Sequence, residues 1–217
     1  MTEAGPTSER ITVPRTLPPL PDFGGATAGL PAGRDIAVVV TAEHRRLESL
    51  CAQLADPAGP SDRRRRVAQV VTAMLARHLS AEEQYLYPAV RVAVPGGERL
   101  ADREVAEDRA ILVALQQLTA ADDGDLDRLA DSVVVQLRRH TASAEAELLP
   151  LLGQMVSAEE LVRLGNRFEL AREAAPTRPH PTTPATPPWN KIVDPTVGVV
   201  DKLRDAVSRR ATYAEDL

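Results

Sequence analysis

The sequence predicts an all-α protein, an up-down-up-down four-helix bundle with a flexible N-terminal arm, a Pro-rich linker and a short C-terminal helix. Three observations predict it. Apolar residues recur in steps of three and four through four successive segments, the period of a helix with one buried face. Turn signals separate those segments: DPAGPSD at 56–62, PGG at 95–97 and ADDGD at 121–125. Aromatic residues are only 3% of the chain against 43% hydrophobic, so the core must come from Leu, Val, Ile and Ala, which suit helices more than sheets.

Residues 1–34 are rich in Pro, Gly, Thr and Ala without an apolar period, and read as the flexible arm. The first helix carries the stripe Ile36, Val40, His44, Leu47, Cys51, Leu54, and the second Val67, Val71, Met74, His78, Glu82, Tyr85. The third runs Leu100, Glu104, Asp108, Ile111, Leu115, Leu118. The fourth runs Leu126, Leu129, Val133, Leu137, His140, then Leu148, Leu151 and Met155. Short connections favour antiparallel neighbours. A fifth amphipathic piece at 157–173 opens with Ser157 and Glu160 in capping-box spacing and completes a domain spanning 35–173. Residues 174–194 form the Pro-rich linker, which leaves His180 in solvent and outside any ligand set. Residues 195–217 read as an amphipathic helix and tail, which with Trp189 could dock on the bundle, bind another protein or touch a membrane surface, docking being the preferred reading.

A length of 217 residues suits one compact domain with extensions. The net charge of −5 argues against nucleic acid as a partner, and Arg63–Arg66 at a helix start read as a solvated face or a partner patch. A single cysteine excludes an internal disulfide framework, and Cys51 reads as a small core residue. The first residues hold acids and prolines but no apolar run of a secretory signal, and no stretch approaches the ~20 apolar residues of a membrane span. A cytoplasmic location is therefore expected.

Each stripe is apolar except near its middle, where histidine or carboxylate interrupts it. Buried acids need a partner, a proton or a metal. His78 and Glu82 are four residues apart, so both project from one helix face, and Glu104 and Asp108 share that spacing. Glu145 follows His140 by five, still near the same face, and His44 stands alone on the first helix. At ~1.5 Å rise per residue, the distances of these groups from the turns bring them within one or two helical turns of a common level. The candidate metal ligands are thus His44, His78, Glu82, Glu104, Asp108, His140 and Glu145. Three imidazoles with four carboxylates suit iron or manganese more than structural zinc, and the count points to two ions. A rotation of the third helix would instead make Glu104, Glu107 and Asp108 an exposed acidic face. Tyr85 and Tyr87 read as core and pocket wall.

This pattern resembles the hemerythrin (HHE cation-binding) family: a lone His on the first helix, His-x-x-x-Glu on the second and His-x-x-x-x-Glu on the fourth. Two local matches carry it, HLSAEEQYLYP at 78–88 and HTASAEAELLP at 140–150, and the resemblance covers about residues 36–155. It implies a four-helix bundle holding two iron ions, oxo- or hydroxo-bridged, that meet dioxygen, nitric oxide or peroxide. One departure stands out: Glu104 and Asp108 occupy third-helix positions where the family usually has histidine. Carboxylates favour ferric iron, which points away from reversible oxygen carriage and toward redox chemistry or sensing. The same change leaves open a single tightly bound ion, or manganese. Ala144 stands where many relatives carry Glu, which makes Glu145 the fourth-helix candidate.

Two functional classes follow. The first is a non-haem di-iron protein that senses or processes a small oxidant; no general acid or base stands apart from the ligand set, so turnover is left open. The second is a metal-free interaction module in which the Pro-rich linker and C-terminal helix bind a protein partner.

Overall fold

A computed structural model describes residues 32–180, 201, 205 and 210–217. Among them the chain is all-helical: α1 (Ile36–Ala55), α2 (Ser61–Ala81), α3 (Tyr87–Ala93), α4 (Gly97–Ala120), α5 (Leu126–Ser143), α6 (Leu149–Met155) and α7 (Ala158–Ala174). The expected flexible arm lies almost wholly outside the described residues, as do Trp189 and most of the Pro-rich linker. Of the expected C-terminal helix only Asp201 and Asp205 are described as α-helical, both buried, and Ala214–Asp216 in the tail form a 3-10 turn.

The second and fourth segments are not single α-helices. Each widens into one π-helical turn, Glu82–Leu86 between α2 and α3 and Ala144–Leu148 between α5 and α6. Tyr87 N–H donates to Glu82 O and Leu149 N–H to Ala144 O, the i→i−5 bonds of such a turn. Pro88 and Pro150 follow immediately, each without an N–H to continue the ordinary ladder. α1, α2–α3, α4 and α5–α6 form the bundle, with α7 packed across α1 and α2.

Local chemistry sets the ends. Asp35 caps α1 by accepting from Ala37 N at 2.7 Å, and Ser157 caps α7 by accepting from Glu160 N at 3.3 Å. Gly96 precedes α4 at φ +73°, where a side chain is strained, and a Cβ on Gly97 would meet Val90 O at 2.1 Å. The Arg63–Arg66 run is less solvated than expected. Arg64 is buried, with Nε donating to Leu54 O at 2.9 Å and NH2 to Asp127 at 2.6 Å, while Arg65 ties to Asp123 and Ala121 O. These arginines staple the start of α2 to the end of α1 and to the α4–α5 turn.

The apolar core divides in two. One cluster holds Ile36, Val40, Leu86, Val90, Val105, Leu148 and Phe168. The other holds Leu47, Leu54, Val71, Leu75, Ile111, Leu115, Val133 and Leu137. Along the four segments of the bundle the switch from one cluster to the other falls at or within a few residues of His44, His78, Asp108 and His140. A polar layer thus crosses the bundle between two dry halves.

Candidate metal centre

The polar layer is sealed. His44, His78, Glu82 and Asp108 are 0% exposed, and Glu104 and His140 1%, so the exposed-acidic-face alternative for α4 is excluded for Glu104 and Asp108. Glu107 is half-buried and pairs with Arg139 at 3.2 Å.

One ligand atom from each of His44, His78, Glu82 and His140 lies within 4.8 Å of the others. His44 Nε2 and His78 Nε2 are 3.2 Å apart. The Glu82 carboxylate sits between the imidazoles, Oε1 at 3.4 Å from His78 Nε2 and Oε2 at 3.3 Å from His140 Nε2. Each ring turns its Nδ1 toward a carboxylate: His44 to Glu145 at 2.9 Å, His78 to Glu43 at 3.6 Å and His140 to Asp108 at 3.3 Å.

Of the remaining candidates, Asp108 lies beside His140, and its Oδ2 accepts from Tyr87 at 2.7 Å. Glu104 Oε1 is taken by Arg103 at 2.9 Å and Ser143 at 2.8 Å, leaving Oε2 facing inward without a partner. Glu145 is the most exposed of the seven at 23%; it holds His44 Nδ1 and accepts from Arg45 at 2.6 Å rather than joining the four converging donors.

Tyr87, expected as core or pocket wall, and Glu43, which the sequence did not single out, both reach the polar groups of this site. The Tyr87 hydroxyl lies 3.1 Å from Glu82 Oε2 as well as 2.7 Å from Asp108 Oδ2. In an unbroken α-helix, nine residues at ~100° each would put Tyr87 opposite His78; the extra residue of the π-turn brings it round to the centre. The available signal was the matching distance from His78 to Pro88 and from His140 to Pro150. Glu43, next to His44, is 4% exposed and accepts from Arg172 of α7 at 2.7 Å. Phe168 of α7 packs edge-on against the His78 ring, centroids 5.6 Å apart.

Electrostatics divide the imidazoles. Burial, reinforced by His78 and His140 alongside, pushes His44 down to about 2, so this ring is neutral. Burial also opposes charge on His78, but Glu82 and Glu43 outweigh it and raise this imidazole to about 10. His140 is raised in the same way, burial being outweighed by Glu82 and Asp108. Burial raises Glu82, yet His78 and His140 prevail and hold it at about 2. For Asp108 burial prevails over His140 and Tyr87, and the carboxyl rises to about 6. Burial and the neighbouring acids Asp108 and Glu82 hold the Tyr87 phenol well above its ordinary value.

Buried without hydrogen-bond partners are Glu82 Oε1, Glu104 Oε2 and His140 Nε2, beside His78 Nδ1 and the facing His140 Nδ1 and Asp108 Oδ1, which meet their outer neighbours only loosely. Unsatisfied polar atoms are costly in a core, and so many together call for a further group. Imidazole nitrogens and carboxylate oxygens converging at this range are the donor set of a divalent or trivalent cation. The residues present fit a metal.

His180 lies away from this layer. It was expected in solvent, but it is half-buried with Nε2 3.0 Å from Asp201 Oδ2, and the start of the linker is docked there by Thr177 and Arg178 on Asp205. Cys51 is buried two turns from His44, and burial pushes its thiol up to about 12.

Among known proteins, the profile of the hemerythrin HHE cation-binding domain matches residues 35–152. An uncharacterized hemerythrin-like protein of Schizosaccharomyces pombe is 27% identical over 139 residues, covering 62% of this chain and 68% of the relative. No solved structure matches the chain.

Proposed function

Because the chain belongs to the hemerythrin HHE cation-binding domain family, we propose that it is a non-haem iron protein that senses or processes a small oxidant: dioxygen, nitric oxide or peroxide. The observation that carries this reading is the Glu82 carboxylate. Its two oxygens face different imidazoles, Oε1 toward His78 and Oε2 toward His140, as a carboxylate shared by two ions would. One ion would draw on His44, His78 and Glu82 Oε1. The other would draw on Glu82 Oε2 and His140, with Glu104 offering its unpartnered oxygen and Asp108 standing behind His140 Nδ1. Three imidazoles with several carboxylates suit iron more than a structural zinc site, and manganese is the alternative. Bound iron supplies one-electron redox chemistry and open positions for a small ligand.

The protein's own groups do the rest. Glu145, Glu43 and Asp108 face the outer nitrogens of the three rings and set their orientation. The layer's burial keeps bulk water off these groups. Tyr87 O–H is held between Glu82 and Asp108, where it can donate one proton to either oxygen.

The test is metal analysis and absorption of protein expressed with added iron, beside His78→Ala. About two irons per chain, with near-ultraviolet ferric absorption lost in the variant, is the expected result. One iron per chain would confine the site to the four converging donors and remove Glu104 from it. A chain still metal-free after anaerobic ferrous loading would overturn the reading in favour of an interaction module.

A further inference from the structure

We propose that Arg172 of α7 is a positioning residue for the metal centre, acting through Glu43 to hold His78 with Nε2 turned inward. The inference rests on the metal reading above and extends it to an element outside the matched domain, which ends at residue 152 while α7 begins at Ala158.

The geometry is a three-membered chain. Arg172 NH1 donates to Glu43 Oε2 at 2.7 Å, and that same oxygen lies 3.6 Å from His78 Nδ1. The last gap is longer than a hydrogen bond, so Glu43 acts on the His78 ring as a facing charge at this distance. Glu43 is 4% exposed, so its charge needs a fixed cation, and Arg172 is the cation paired with it. Phe168 lies one turn earlier on the same face of α7 and packs edge-on against the His78 ring. One face of α7 therefore steers the ring by its edge and anchors the acceptor of its outer nitrogen.

A parallel chain exists at His44, where Arg45 holds Glu145 and Glu145 holds Nδ1. There the arginine side chain is 58% exposed and water competes for the carboxylate. Arg172 is 25% exposed over a carboxylate at 4%, so its hold is screened far less. Carboxylates behind metal-bound imidazoles typically change metal affinity by 10–100-fold when lost.

The experiment uses the full chain loaded with ferrous iron. Release of iron to a chelator and the ferric absorption spectrum are followed for wild type, Arg172→Met, Arg172→Lys and Glu43→Gln. Arg163→Met, which removes an exposed pair with Glu159 on the same helix, is the control. The melting temperature of each metal-free protein is measured beside them. Arg172→Met and Glu43→Gln are expected to release iron roughly tenfold faster with a shifted spectrum. Arg172→Lys is expected to restore most of the difference, and Arg163→Met to match wild type. Release and spectrum unchanged in Arg172→Met would overturn the proposal and leave the metal reading standing. So would faster release that merely follows a lower metal-free melting temperature and is not rescued by lysine. A wild-type chain that binds no ferrous iron would overturn the metal reading itself, and this proposal with it.

Discussion

His44, His78 and His140 each turn one nitrogen inward and the other toward a carboxylate, and this division of labour was only half legible in the sequence. The inward groups stood on apolar stripes at helical spacing, so their burial could be read directly. Glu43 could not be read this way: it adjoins His44 on α1, off the expected stripe, and its burial comes from α7 closing over it. Glu145 illustrates the reverse, a residue read as converging that instead meets His44 Nδ1 and Arg45. Tyr87 is the sharpest test at this scale. Its hydroxyl donates at 2.7 Å to Asp108, whose carboxylate has no access to water. Tyr87→Phe should cost the metal-free protein on the order of 1–3 kcal/mol, because it leaves a buried acceptor unsatisfied. Urea unfolding checks this, and a loss well below that range would mean Asp108 takes its proton elsewhere.

The elements that matter most are the two π-turns and α7. Both π-turns begin four residues after a histidine and end before a proline, so the motifs at 78–88 and 140–150 are structural echoes. The echo is imperfect at the first π position, Glu82 in one and Ala144 in the other, and that difference makes the centre asymmetric. Periodicity counting misses such turns, since a single extra residue leaves the apolar pattern on both sides intact. α7 was legible as an amphipathic helix, but not where it packs. Gly165 decides that: a Cβ there would lie 2.1 Å from Arg34 O, so only glycine lets α7 cross the start of α1. Gly165→Ala should therefore push α7 away and destabilise the fold by about 1–3 kcal/mol. Thermal unfolding should show a lower melting temperature, whereas an unchanged one would mean α7 is not held by this crossing.

For the whole molecule, the polar layer is a stability cost that a metal would remove. Without metal, His78 has a pKa of about 10 when folded, against an ordinary ~6.5 in the unfolded chain. Its contribution to stability is then complete below ~6.5 and is lost as pH rises through about 10. His140 is raised too and acts in the same direction. The metal-free protein should melt at progressively lower temperature from pH 6.5 toward 10, while the iron-loaded protein, with metal in place of the protons, should not. Chelation should lower the melting temperature most at the alkaline end. Equal pH dependence with and without iron would separate His78 and His140 from the metal.

By itself the sequence determined the helical class, the three turns, the buried stripes and the level at which histidine and carboxylate interrupt them, because those are local and periodic properties of the chain. It also carried the family, through His44, the His78/Glu82 pair and the His140 motif. Only the tertiary structure decided which carboxylate faces which imidazole, that Tyr87 reaches the centre and that α7 supplies Phe168 and Arg172 to His78. These depend on helix rotation, on single-residue π insertions and on contacts between residues 21 to 129 apart in sequence. Side-chain periodicity encodes which face is buried, but what that face meets is set by how the helices pack.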